Sequence, residues 1–265
     1  MKPVMIELNY KEYGEGENNL LVLHGFLGSL DNWHTLATEW AKQGLHVYLP
    51  DQRNHGRSPH TEQHSTALMV NDLHDFMQQH RIGKAVILGH SMGGKVAMQF
   101  ALDHPDLTDK LIVADMSPRA YKGGAHDDVF AAINNVDLSK AQLRKEVDQA
   151  MAQHLGDPGT RQFVMKSLDR VDEGHYKWKF NIDVLQRDYK DIISEVKSDH
   201  TFNKPALFIR GANSLYVQDK DLPLIGQLFP EYQIETIADA GHWLHADKPK
   251  EFFEKVLEFI EEVHS

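Results

Sequence analysis

A serine between two glycines, Gly89-His90-Ser91-Met92-Gly93, directly follows the apolar run Ala85-Val86-Ile87-Leu88. This order predicts a sharp strand-to-helix turn that presents Ser91, with glycine where a side chain would strike neighbouring backbone. Val96, Ala97, Phe100 and Ala101 then share one helical face, and Pro105 closes the helix. A serine presented in this way is a nucleophile once a base removes its proton. Of the 17 histidines, chain order and context single out His242. It follows the β-prone run Tyr232–Ile237, and Gly241 lets the backbone turn so that the imidazole reaches over a sheet edge. His245 is the competing base, and its place toward the next helix reads as a packing or rim position.

Four further segments accompany the elbow in a fixed order: Leu23-His24-Gly25-Phe26-Leu27-Gly28-Ser29, the loop from Asp51 to Pro59, Gly211-Ala212-Asn213-Ser214, and Gly241-His242-Trp243-Leu244-His245-Ala246. On these residues the chain resembles the α/β-hydrolases, and more narrowly the YbfF-type bacterial esterases and their ABHD11-like eukaryotic relatives. The resemblance implies an α/β-hydrolase fold: a mostly parallel eight-stranded sheet flanked by helices, with an inserted helical cap. It implies a cofactor-free serine hydrolase acting on a small-molecule partner, a short-to-medium acyl ester or an acyl-CoA thioester. It also implies an oxyanion hole built from the backbone N–H of Met92, after the nucleophile, and of Phe26, after His-Gly. His24 then braces the loop.

The acid departs from the commonest family arrangement. Many α/β-hydrolases place it in a G-x-x-D pattern after the cap, and here Ser214 stands at that place after Gly211. Asp219 and Asp221 lie beyond it at a helix start, where aspartate often serves as N-cap. Asp115 instead ends the apolar strand Lys110–Ala114 at the rim expected to carry Ser91. A carboxylate there is costly unless partnered, and a histidine that must be oriented and become cationic supplies the partner. Asp115 is therefore the expected acid and Asp219 the alternative; capping the turn at Ser117-Pro118 is the plainer use of Asp115. In the Asp51–Pro59 segment, Asp51 and Arg53 read as residues that lock the loop by pairing with neighbouring carbonyls or with each other, with a contact from Arg53 or Arg57 to a substrate carboxylate as the alternative.

Positioning these residues requires strands alternating with helices. Apolar runs predict strands near 4–10, 20–24, 46–50, 84–90, 110–115, 205–211 and 232–238, with another near 11–14. Helices are expected near 31–43, 66–81, 92–103, 219–228 and 249–263. The serine, acid and histidine all fall at strand C-terminal ends, where open α/β sheets bind ligands. Residues 119–202 break the rhythm and read as helices alone, near 127–135, 139–155 with Ser139 as N-cap, 157–168 and 181–197. They form the expected cap, inserted into a core of residues 1–118 and 203–265. Tyr176, Trp178 and Phe180, with Trp243 beside His242, are the candidate substrate-lining residues, and Lys177 and Lys179 are a basic patch suited to a CoA thioester.

Composition narrows the function further. Lys and Arg total 28 against 39 Asp and Glu, a net charge of -11, which argues against a nucleic-acid partner, since phosphate neutralisation needs clustered cations. The absence of cysteine excludes disulfides, thiol nucleophiles and cysteine-ligated metals. No H-E-x-x-H or comparable histidine spacing occurs, so no metal site is expected. No signal-like or membrane-spanning apolar run is present, giving the expectation of a cytoplasmic enzyme without a membrane partner. Ser91 at the elbow excludes the aspartate-nucleophile chemistry of haloalkane dehalogenases and epoxide hydrolases. Carbon–carbon bond hydrolases and MenH-like lyases share serine, histidine and aspartate and stand as the alternative.

Overall fold

The computed structural model describes residues 5–124, 126–171 and 174–262. Val4 and Val263, outer bounds of an expected strand and an expected helix, lie outside the described residues. The main sheet comprises β1 (Tyr10–Tyr13), β2 (Asn18–Leu23), β3 (Leu45–Pro50), β4 (Ala85–His90), β5 (Thr108–Ala114), β8 (Ala206–Gly211) and β9 (Tyr232–Ile237). Its order is β1-β3-β2-β4-β5-β8-β9. Strand β1 runs antiparallel to β3 and the other pairings are parallel.

The central strands read as unbroken apolar runs because both sheet faces are covered. On β2, Leu20 and Val22 face a cluster containing Trp40 of α1 (His34–Lys42) and Phe252 of α11 (Pro249–Glu261). Leu21 and Leu23 face the opposite cluster, which contains Met69 of α2 (Thr66–Gln79) and Phe100 of α3 (Met92–Asp103). Two short helices, α9 (Leu222–Leu228) and α10 (Leu244–Asp247), flank β9 in sequence.

Seven strands, rather than the expected eight, make up this sheet among the described residues. The two strands expected near the N-terminus reduce to β1, because the chain before it is bonded elsewhere. Asn9 donates its N–H to Ser58 Oγ at 2.9 Å and its Nδ2 to Asp51 Oδ2 at 2.7 Å.

Between β5 and β8 the chain leaves the sheet and forms α4 (Asp127–Asn134), α5 (Arg144–Met151), α6 (Pro158–Met165), α7 (Ile182–Arg187) and α8 (Tyr189–Ile192). It is not wholly helical as expected: β6 (Leu168–Arg170) and β7 (Tyr176–Trp178) form an antiparallel hairpin. Tyr176-Lys177-Trp178 alternates with a period of two, and its rings are half-buried on either side of an exposed lysine. The helix expected from Ser139 starts only at Arg144, because Ser139 is bonded to Asp137 Oδ1 instead. Asp157 caps α6 by accepting the Thr160 N–H at 2.7 Å.

Candidate active site

The turn that presents Ser91 owes its shape to close approach. Ser91 sits at φ 53°, ψ −118°, a strained conformation for a residue with a Cβ. A Cβ on Gly89 would lie 2.1 Å from the Gly93 carbonyl oxygen, and one on Gly93 would lie 2.3 Å from that of Leu23. Glycine at both flanks lets β2, β4 and α3 meet closely enough to hold Ser91 at the C-terminal rim. The strain is retained because tight packing leaves the backbone nowhere else to go.

Asp115 follows β5, also at positive φ, 49°. Its side chain is 0% exposed, so the charge requires partners. Oδ1 accepts the Gly211 N–H at 3.2 Å, and Oδ2 accepts both His242 Nδ1–H at 2.7 Å and the Ser214 hydroxyl. Three donors from the ends of β5's neighbour β8 and from the loop after β9 therefore converge on one carboxylate. The contact fixes Nδ1 of His242 as a donor and leaves Nε2 as the free acceptor.

His242 and the elbow meet through His90, whose Nε2–H donates to the His242 carbonyl at 2.8 Å and whose ring lies 4.8 Å from that of His242. Among the described residues no hydrogen bond joins Ser91 Oγ to the imidazole. In unliganded active sites such a bond is commonly long and tightens with substrate. Tyr216 stacks on His242 at 3.8 Å, with the planes 17° apart. His245, the competing base, is buried against Trp33 at 4.4 Å in a stacked arrangement, and burial pushes its pKa down to about 3.

The carboxylates beyond Ser214 are engaged elsewhere. Asp219, its side chain 83% exposed, pairs with Arg210 at 2.7 Å. Asp221 pairs with Arg119 at 2.9 Å and caps its own turn by accepting the Gln218 N–H. In the sequence, Ser214 stands out only as a missing acid. A hydroxyl at the family's acid position was nonetheless the available signal, because it can donate to an acid on the adjoining strand.

Ser91 opens into a cavity of about 440 Å³ that Phe26, Met92, Tyr121, Tyr189, Ile192 and Tyr216 help to line. Neither the Phe26 N–H nor the Met92 N–H has a protein acceptor among the described residues. Two unpaired donors from the β2 turn and from the first residue of α3 can serve an oxyanion. The turn carrying Phe26 is braced from beneath: Leu27 N–H donates to His55 Nε2 at 3.2 Å, and His24 accepts the Gln52 N–H at 2.9 Å. Burial depresses the pKa of both His24 and His55, so each works as a neutral ring. Arg53 is not bonded to Asp51; it forms a buried bidentate pair with Asp72 of α2. Asp51 ties Leu30 and Arg57 through their N–H groups.

The expected lining residues stand elsewhere. Tyr176, Trp178 and Phe180 border a separate, more open cleft with Arg57 and Lys177. Phe180 is buried under Trp178, with the rings 5.2 Å apart, because the hairpin turns these rings onto one another. Trp243 stacks on Phe163 at 3.7 Å. Lys179 is tied to Asp31 at 3.1 Å, which removes it from the expected basic patch. The cations bordering the Ser91 cavity are Arg119, Lys122 and Lys220.

The profile of the alpha/beta hydrolase fold family matches residues 18–249. Esterase YbfF of Escherichia coli is 38% identical over 241 residues, covering 91% of this chain and 92% of its own length. The sn-1-specific diacylglycerol lipase ABHD11 of Danio rerio is 35% identical over 266 residues, covering 97% of this chain and 83% of its own length. A solved marine microorganism esterase superposes with a TM-score of 0.92 at 43% identity, covering 96% of this chain and 99% of that one. No helix among the described residues is long and apolar enough to cross a membrane.

Proposed function

Because the chain belongs to the α/β-hydrolase family, we propose that it is a serine carboxylic ester hydrolase in which Ser91, His242 and Asp115 act as nucleophile, base and acid. The observation that carries this reading is the 2.7 Å contact between His242 Nδ1 and a buried, fully bonded Asp115, at the rim that holds the strained Ser91. His242 Nε2 takes the Ser91 proton as Oγ attacks the ester carbonyl, and the N–H groups of Phe26 and Met92 receive the oxyanion. The tetrahedral intermediate collapses as His242 returns the proton to the leaving alcohol. Water then attacks the acyl-serine, with the same histidine as base, releasing the acid and restoring Ser91.

The esterase and lipase names of the relatives support an ester as substrate. The segment 119–202 acts as the cap: it supplies Tyr121, Tyr189 and Ile192 to an apolar cavity suited to short and medium acyl chains. Lys122 and Lys220 carry no ion pair among the described residues. They give an anionic leaving group such as that of a CoA thioester a local attraction that the net charge of -11 does not provide.

The test is turnover of p-nitrophenyl butyrate and butyryl-CoA by the full chain and by Ser91→Ala. The variant is expected to lose at least about 10⁴-fold in kcat with an unchanged melting temperature. Turnover surviving in the folded variant would place the nucleophile elsewhere.

A further inference from the structure

His242 has its edge on Asp115 and one flat face on Tyr216, yet Tyr216 takes no part in the proton transfers described above. Its ring lies 3.8 Å from the imidazole and 17° from parallel. The neighbouring Leu215 is 76% exposed, so the loop turns one large side chain outward and sets the next against the histidine.

The backbone of Tyr216 is held at both ends. Its N–H donates to Ser214 Oγ at 3.2 Å, the same hydroxyl that donates to Asp115, and its carbonyl accepts the Tyr121 hydroxyl at 2.8 Å. Tyr121 is itself fixed by the Ser117 N–H at 2.8 Å, and the Arg119 guanidinium lies 4.0 Å above its ring. Burial and the nearby Asp115 carboxylate push the Tyr216 phenol up, so the ring is a neutral π-face across the working pH range.

We infer that Tyr216 is a positioning residue for His242, its ring holding the imidazole in plane with Asp115 and stabilising the imidazolium that forms between the two proton transfers. An aromatic face against a cation is favourable, and more so when desolvated. The imidazolium exists only after Ser91 has given up its proton, so the contact acts on kcat rather than on ground-state binding. The inference rests on the esterase reading above, but its spectroscopic test requires no turnover.

The experiment compares Tyr216→Phe and Tyr216→Leu in the full chain. Phenylalanine keeps the π-face and is expected to retain at least half of kcat. Leucine is expected to lower kcat about tenfold on both p-nitrophenyl acetate and p-nitrophenyl butyrate, with KM changed less than twofold. The low-field proton resonance of the Nδ1–H bonded to Asp115 should persist in the phenylalanine variant and broaden or shift in the leucine variant. If leucine does not fold, Tyr216→Met carries the same comparison. A rise in KM with kcat intact would make Tyr216 a wall of the cavity only, and an equal loss in the phenylalanine variant would move the effect to the hydroxyl. A fall in kcat with an unaltered low-field resonance would also overturn the inference. Absence of turnover in the unmutated protein would instead overturn the esterase reading, and the resonance would still judge the contact.

Discussion

Two hollows in this molecule are built from the same kinds of residue and differ in what stands beside them. The cavity at Ser91 has Tyr121, Tyr189 and Tyr216 with Arg119 and Lys122. The cleft at the β6–β7 hairpin has Tyr176 and Trp178 with Arg57 and Lys177. Only the first adjoins a serine at positive φ and a buried carboxylate whose oxygens are all bonded. Aromatic rings interleaved with lysine suggested a ligand site in the sequence. Such residues also close a hairpin, as the stacking of Trp178 on Phe180 shows. Backbone strain and a satisfied buried charge separate the two hollows, since both are costs that a fold retains only where surrounding structure compensates.

The largest effect that bears on this contrast is expected at the proposed acid. Asp115→Asn keeps the shape of the side chain but removes the charge and upsets the tautomer of His242, so kcat on p-nitrophenyl butyrate is expected to fall by about 10³- to 10⁴-fold. Asp219→Asn, at an exposed pair with Arg210, is expected to change kcat less than about twofold. The reverse outcome would relocate the acid to the loop after β8 and dissolve the distinction drawn from buried charge.

What the sequence made legible were features whose cause is local. The unbroken apolar runs of β2, β4, β5 and β8 announce strands covered on both faces, and the glycines of the elbow announce a turn that admits no side chain. That Asp115 would be partnered was legible because a carboxylate ending such a run needs a partner. Features caused by distant segments were not. Lys95, four residues after Ser91, is 1% exposed and donates to the carbonyls of Pro118, Arg119 and Ser194. Nothing near Lys95 in the sequence separates it from an ordinary solvated helix position. Ser214 and Tyr216 acquire their contacts with Asp115 and His242 only when β5, β8 and the loop after β9 lie side by side. The hairpin was hidden because three-residue strands carry too short a pattern to compete with the helical periodicity around them.

A smaller but broader contrast concerns protons. Within the fold, burial pushes His64 and His245 down to about 3 and His126, which lines the Ser91 cavity, down to about 4, and it lowers His24, His55 and His90 as well. An unfolded chain takes up protons at these rings near the ordinary value of 6.5, whereas the folded chain resists. Their stability contribution is therefore complete above about pH 6.5 and is lost progressively as pH falls toward about 3. Urea midpoints measured from about pH 8 to about pH 4 are expected to fall steadily below about 6.5. His245→Phe, which keeps a ring against Trp33, should reduce that slope by up to one proton. An unchanged slope would mean that burial does not hold the His245 pKa down.

The smallest effect tests the division of the two hollows directly. Ile192 of α8 lines the Ser91 cavity and is 5% exposed, so Ile192→Ala opens space that a longer acyl chain can fill. Each buried methylene contributes about 0.8 kcal/mol, roughly a fourfold effect, so the ratio of kcat/KM for p-nitrophenyl octanoate over butyrate is expected to rise several-fold. Trp178→Ala removes the ring that covers Phe180 and is expected to lower stability by about 1–3 kcal/mol while leaving that ratio within about twofold. If Trp178→Ala shifted the chain-length profile and Ile192→Ala did not, the acyl chain would lie in the hairpin cleft. The aromatic composition, rather than the strain and buried charge at Ser91, would then have marked where substrate binds.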